Sequence, residues 1–564
     1  MIDARSVPHD AAMSSRVHVL AAALGILGCG GSGASVGAGG SGSDGASAAG
    51  GVTGQGSGGR GSIGTGGDTA TGGAGTSTGG TAAGSGGSST GGAGSSTGGA
   101  SAGASGTGGS GGTATGGARA GGVGGAGGVR AGTGGAGGGT GGSVSGTGGA
   151  RGGTGGAGGA GVGDPCGDGN PATVPLPTIG AGAFNVITYG AIGDGTKDNT
   201  QAIQSALTAA ADAGGGTVTV PSGTFLSGPI VIGSATRLEL SAGAVLKMLP
   251  RASYTGTTAF ITAATPSAHD IALTGAGTIE GQGQAWWDAF AADSTVFRPQ
   301  EVSLGHVTRV QISGLHFQNS PVEHIWVKQD TDVTITGITI STLAVSGKSP
   351  PKNTDGIDIT ADGAFICNNN IACGDDNIAL SGTKIYIAHS TFGVGHGCSI
   401  GSITKNGTSG LTVDHVTFTG TTSGIRMKSA RDRGGLVENL TYSNITMTNV
   451  PTPIGMTSYY PTDPTDPTVD TPMATTATTP IWKNITITNM TATGSTNGGV
   501  LFGIPESKIS NVTFDNVKIQ ANTGMRIFHS TGISFTNGSS VTPKSGAAVT
   551  AFDAMVSGVT TTPF

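Results

Sequence analysis

Three carboxylates, one imidazole and two cations recur within one stretch of this chain. Asp355 closes Asn353-Thr354-Asp355, and Asp375 and Asp376 follow Gly374. His396 lies between Gly395 and Gly397, and Arg426 and Lys428 flank Met427. Carboxylates brought together repel, so at least one keeps its proton above the usual range. A protonated acid beside an ionised one supplies a general acid and a base in one groove, the pairing that cleaves glycosides. Arg426 and Lys428 are two apart, so on a regular strand they point the same way and can grip a substrate carboxylate. His396 can tune a neighbouring aspartate. The substrate implied is an acidic sugar polymer.

These groups need elements that stack them. Asp355 and Asp376 are 21 positions apart, as are Asp375 and His396; His396 and Arg426 are 30 apart. A β phrase recurs on a similar period, as in Val333-Thr-Ile-Thr-Gly-Ile-Thr-Ile, Leu411-Thr-Val-Asp-His-Val-Thr-Phe and Leu440-Thr-Tyr-Ser-Asn-Ile-Thr-Met. Apolar residues alternate with Thr or Ser and break at Asn, Gly or His. Periods of this size indicate a solenoid. The fold expected is all-β, a right-handed parallel β-helix. Residues one coil apart then sit one above another, and the six groups converge within roughly 5–15 Å. Adjacent strand residues face opposite sides, so Asp375 and Asp376 share a groove only if Gly374 permits a bulge or bend. Alone, an Asp-Asp pair reads as a solvated turn; the shared register favours a site.

The folded region is expected over 184–564. Phe184 to Ala191 reads as a strand and turn, and Asn199 to Ala213 as a short helix capping the open end of the solenoid. Asn at repeated bends tolerates left-handed backbone and can ladder along the axis, a better reading of Asn444, Asn484 and Asn511 than glycosylation. Trp286 and Trp287 suit helix packing. His306, His316, His324, His389 and His415 fall within repeat phrases and read as structural. Asp358 should face away from Asp355 and order a turn.

Upstream, residues 1–29 read as an export signal, with an apolar run from Val19 to Leu27. Ile26-Leu27-Gly28-Cys29 resembles a lipoprotein box that would lipidate Cys29; a plain secretory signal is the alternative. Residues 30–163 are nearly all Gly, Ser, Ala and Thr and have no apolar face to bury. They are expected to form a disordered tether reaching roughly 60–70 Å, with 164–183 as a connector. The location implied is exported, as a cell-surface lipoprotein or extracellular. Cys166, Cys367, Cys373 and Cys398 allow three complete pairings, and no spacing suggests zinc. The net charge of −6 does not suggest nucleic acid, and no run is long enough to span a membrane.

At the four motifs the chain resembles glycoside hydrolase family 28, the polygalacturonases, in bacterial form. Asn353-Thr-Asp355, Gly374-Asp375-Asp376, Gly395-His396-Gly397 and Arg426-Met-Lys428 appear in the family's order. Supporting matches are Gly281-Gln-Gly283, Asn319-Ser-Pro321 and Gly524-Met-Arg-Ile. The resemblance implies hydrolysis of α-1,4 galacturonosidic bonds with inversion, by a monomer acting on pectic polysaccharide without metal or cofactor. It implies Asp375 as general acid, Asp355 and Asp376 as the carboxylates activating water, and His396 supporting the acid. Arg426 and Lys428 would bind the substrate carboxylate. A tyrosine follows one coil later, and Tyr460 fits that place slightly better than Tyr459. Fungal members carry a cysteine after the aspartate pair; here Asn377 stands there and Cys373 lies before it, so their disulfide pattern does not transfer. The insertion Ser458 to Pro480 is either a lip of the groove or a floppy loop. Exo-acting or rhamnogalacturonan hydrolysis is the sister reading. A calcium-dependent pectate lyase or a non-catalytic polysaccharide-binding solenoid are readings of other classes.

Overall fold

The computed structural model describes residues 164–169 and 174–564. The expected export signal, its Cys29 and the tether 30–163 lie outside the described residues.

Short alternating phrases become short strands with one buried side, as in Thr236–Leu240 and Ala244–Met248. One face cannot be buried by a strand alone, so each coil lays its strands on the coil before, in parallel ladders. The chain winds as the right-handed parallel β-helix the repeats predict, with three faces. One core column runs Val218, Leu238, Leu273, Ile312, Ile335, Ile366, Ile387, Val413, Tyr442, Ile487 and Phe514, each in register with the next. A second runs Phe225, Leu246, Ile279, Phe317, Ile340, Ile371, Phe392 and Phe418. All these side chains are buried, each contributing about 1.5–3 kcal/mol relative to exposure.

The corners explain the bend residues. Gly363, Lys384, Gly410, Asn439, Asn484, Asn511 and Gly532 all have positive φ and stack at one corner. Asn368, His389, His415, Asn444, Asn489 and Asn516 do the same at the next. Left-handed backbone costs most residues roughly 1–2 kcal/mol, and Gly and Asn suffer least. The Asn side chains ladder as expected: Asn484 donates to Asn439 at 3.2 Å, Asn489 to Asn444 at 3.2 Å and Asn516 to Asn489 at 2.9 Å. His389 and His415 stack at 5.2 Å in the same corner column, which is a structural role.

Helix α1, Thr200–Asp212, buries Ile203, Ala206, Leu207 and Ala210 and packs on the strands of the first coils, closing the end of the core. Helix α2, Gln284–Ala292, buries Trp286 and Trp287. Trp287 Nε1 donates to the Ser320 carbonyl at 3.1 Å. Of the three possible pairings, one bond forms: Cys166 joins Cys367, with Cα atoms 5.6 Å apart. Cys373 and Cys398 are buried thiols. The bond fastens the connector to the flank of the solenoid, where Cys166 and Val174 cover Phe365, Ala388 and part of Tyr386.

Candidate active site

One face carries the chemistry. Its strands place an outward column in register: Trp326, Asp358, Ala379, Ser399, Arg426, Gly455, Val500 and Arg526. The turns entering three of these strands carry Asp355, Asp375 with Asp376, and His396. The 21-residue spacing thus becomes neighbouring rungs. Arg426 stands over Ser399, further along the strand than His396.

Asp375 escapes strand alternation because it lies in a bend ahead of Ile378–Ala388. Gly374 permits that bend through close approach: a Cβ there would meet the Pro351 carbonyl oxygen at 2.0 Å. Asn377 braces the next turn. Its amide accepts from Gly397 N–H at 2.9 Å and donates to the carbonyls of Ile371 and Val394 at 3.0 and 3.2 Å. His396 is thereby fixed between two glycines.

The two aspartates of the pair take different partners. Asp375 Oδ1 lies 2.9 Å from His396 Nδ1 and accepts from Asp376 N–H at 3.0 Å. Asp376 Oδ1 accepts from Ser399 Oγ at 2.6 Å and Arg426 Nη1 at 3.0 Å, while Oδ2 accepts from Lys428 Nζ at 3.0 Å. Both cations predicted to face substrate therefore hold Asp376. Lys428 is fully buried, and Arg426 stays part-exposed. Tyr460 lies over Lys428, with Nζ 5.7 Å from the ring centroid. Tyr459 instead donates to Asp470 and packs on Phe502 and Phe528.

Asp355 is fully buried, and neither carboxylate oxygen has a hydrogen-bond partner. Burial, then the charges of Asp375 and Asp376, push its carboxyl well above the usual range.

Sequence reading missed several supports. Arg298 is buried, donating from Nη2 to Asn353 Oδ1 at 2.8 Å and from Nη1 to the carbonyls of Pro321 and Lys352. Burial pulls its guanidinium down to about 10, against the charges of Glu323, Asp355 and Asp375. His324, read as structural, supports the site through its backbone: Nδ1 donates to the Asp355 carbonyl at 2.9 Å, and Nε2 accepts from Thr342 Oγ1 at 2.7 Å. Burial holds it neutral, with a pKa of about 4. No local motif marks either residue. Asp358 departs from the reading given to it: it lies in the outward column within a strand, ion-paired with Lys328. The insertion is fastened, since Arg431 bonds Asp470 within it at 2.8 Å and also Glu506.

Asp375, Asp376 and His396 place ligand atoms within 4.8 Å of one another. Arg426 and Lys428 already balance Asp376, which works against a cation there.

A β-solenoid with paired carboxylates, an imidazole and two cations on one groove is built as a glycoside hydrolase. The sequence profile of the glycosyl hydrolases family 28 matches residues 212–539. The chain belongs to that family. It is 32% identical over 343 residues to an endo-polygalacturonase of Pectobacterium carotovorum subsp. carotovorum, covering 54% of this chain and 80% of that protein. It is 33% identical over 294 residues to a polygalacturonase of Prunus persica, covering 49% and 72%. The solved family 28 exopolygalacturonase of Yersinia enterocolitica shares the fold, with a TM-score of 0.53 at 20% identity over 68% of this chain and 79% of that one.

Proposed function

We propose that this enzyme hydrolyses α-1,4 galacturonosidic bonds of polygalacturonate with inversion. The observation that carries the reading is the division of labour between adjacent aspartates: Asp375 is bonded to His396, and Asp376 to Arg426 and Lys428. Asp375 gives its proton to the glycosidic oxygen as the bond to the anomeric carbon breaks. Water attacks that carbon from the opposite face and passes a proton to Asp355. Asp376 orients the water. The raised Asp355 carboxyl makes a stronger base than an ordinary aspartate, provided it is ionised when the water arrives. His396 positions Asp375; after the products leave, Asp355 releases its proton to solvent and Asp375 takes one up from solvent through His396. Arg426 meets the substrate carboxylate, Lys428 secures Asp376, and Tyr460 lines the same subsite. The sequence similarity to polygalacturonases supports this substrate.

The test is incubation with polygalacturonate, with calcium and separately with a chelator, following reducing ends and ultraviolet absorbance. New reducing ends without unsaturated product support hydrolysis. Calcium-dependent absorbance would mean elimination, and no change in either would mean binding without turnover.

The same reading places the enzyme outside the cytoplasm as a monomer, lipid-anchored at Cys29 through the Gly-rich tether. The Cys166–Cys367 bond supports an oxidising compartment. Cys29→Ser should move the protein from the membrane fraction to the medium; an unaltered distribution would refute the anchor.

A further inference from the structure

The outward column of the catalytic face continues three rungs beyond Arg426, through Gly455 and Val500 to Arg526. Arg526 is half-buried, and its guanidinium has no hydrogen bond or ion pair among the described residues. It rests on aromatic rings instead, 4.9 Å from the centroid of Phe502 and 5.9 Å from that of Phe528. Those two rings are themselves stacked at 4.4 Å and fully buried, a rigid bed. A guanidinium seated beside aromatic rings loses less freedom on binding and keeps its N–H groups for another partner, such as a carboxylate taken bidentately.

The floor between the two arginines is low. A Cβ built at Gly455 would have only Thr452 Cγ2 within 4 Å, at 3.4 Å, an ordinary contact. Its φ is not in the left-handed region either. The fold therefore accepts a side chain at 455, and a glycine there keeps the groove open. Val500 adds little height.

We propose that Arg526 is a distal uronate-binding subsite, gripping the carboxylate of a sugar remote from the scissile bond. This rests on the polygalacturonate reading above. The two arginines are separated by three rungs, roughly 14 Å, the offset between the first and fourth sugars of a chain that lays one sugar on each rung. A polyuronate lying along the column would present a carboxylate to each cation, with its middle sugars over Gly455 and Val500. Short substrates that occupy only the sugars beside Asp375 do not reach Arg526.

The experiment compares kcat/KM on polygalacturonate and on trigalacturonate for wild type, Arg526→Gln and Gly455→Leu. Losing a charge-assisted contact should lower the polymer-to-trimer ratio about tenfold in Arg526→Gln. Gly455→Leu raises the floor and should lower the same ratio with Arg526 intact. The wild-type ratio should also fall at high salt. Ratios unchanged in both variants would overturn the subsite, as would equal losses on the two substrates. If wild type releases no reducing ends from either substrate, the hydrolytic reading fails separately. Calorimetric binding of polygalacturonate then decides, and equal affinity of wild type and Arg526→Gln overturns the subsite.

Discussion

Asp376 and Lys428 lie 52 positions apart in sequence, yet their side chains meet at 3.0 Å with both residues buried. Breaking one side of a buried ion pair leaves an uncompensated charge, at a cost of about 3–5 kcal/mol. Lys428→Met should lower stability by that order and abolish most activity. The double variant Asp376→Asn/Lys428→Met should recover much of the stability and none of the activity. Chemical denaturation and a reducing-end assay read the two effects apart.

Asp375→Asn should reduce kcat by about a thousandfold, within the usual worth of a positioned acid, with little change in melting temperature. His396→Gln should cost less and alter the pH profile, because in the proposed mechanism it positions Asp375, to which it is bonded, and does not itself meet the glycosidic oxygen. Retained turnover in Asp375→Asn would remove the assignment of the acid.

The acid limb of the rate profile should report Asp355. Its carboxyl is pushed above the normal range by burial and by Asp375 and Asp376, and the mechanism needs it ionised. Activity should therefore fall as pH drops through that raised value, at a higher pH than a solvent-exposed aspartate would give. A profile that stays flat down to the ordinary carboxylate range would contradict the base assignment.

Stability should depend on pH through two buried groups of opposite sign. His324 has its pKa lowered to about 4 from 6.5, chiefly by burial. Its contribution is present above 6.5 and lost as pH falls through 4, worth about 3 kcal/mol at most. Asp330 is raised by burial to about 7 from 3.8. Its contribution is present below 3.8 and lost as pH rises through 7. Asp330→Asn keeps an oxygen to accept from Val307 N–H and should stabilise the protein more at pH above 7 than below 4. Thermal melts across pH would show a parallel shift if Asp330 were not involved.

Asn489 has φ of 53° and both accepts from and donates to stacked Asn neighbours. Asn489→Ala should cost about 1–2 kcal/mol, and Asn489→Gly less, since glycine takes left-handed backbone without strain. Equal losses would mean that the side-chain ladder and not the backbone sets the stability.

The solenoid was legible because its period is short and its bends carry Asn, Gly and His. Asp355, Asp375, Asp376 and His396 were legible because one coil is about 21 residues, so register could be counted. Arg298 was not: it reaches Asn353 across 55 positions from a stretch without any motif. The role of His324 was hidden because it acts on a backbone carbonyl, and carbonyls leave no mark in sequence. Asp358 was misplaced because its partner, Lys328, lies on the preceding rung and outside the motif. The disulfide was open because pairing depends on where the connector folds back, which no repeat encodes.

The bond from Cys166 to Cys367 also fixes a load path. A pull applied upstream of Cys166 passes straight into the strand Ile357–Cys367, two residues beyond Asp355, and bypasses α1 and the first coils. Such a pull would be borne by the middle of the solenoid and not by its terminal cap.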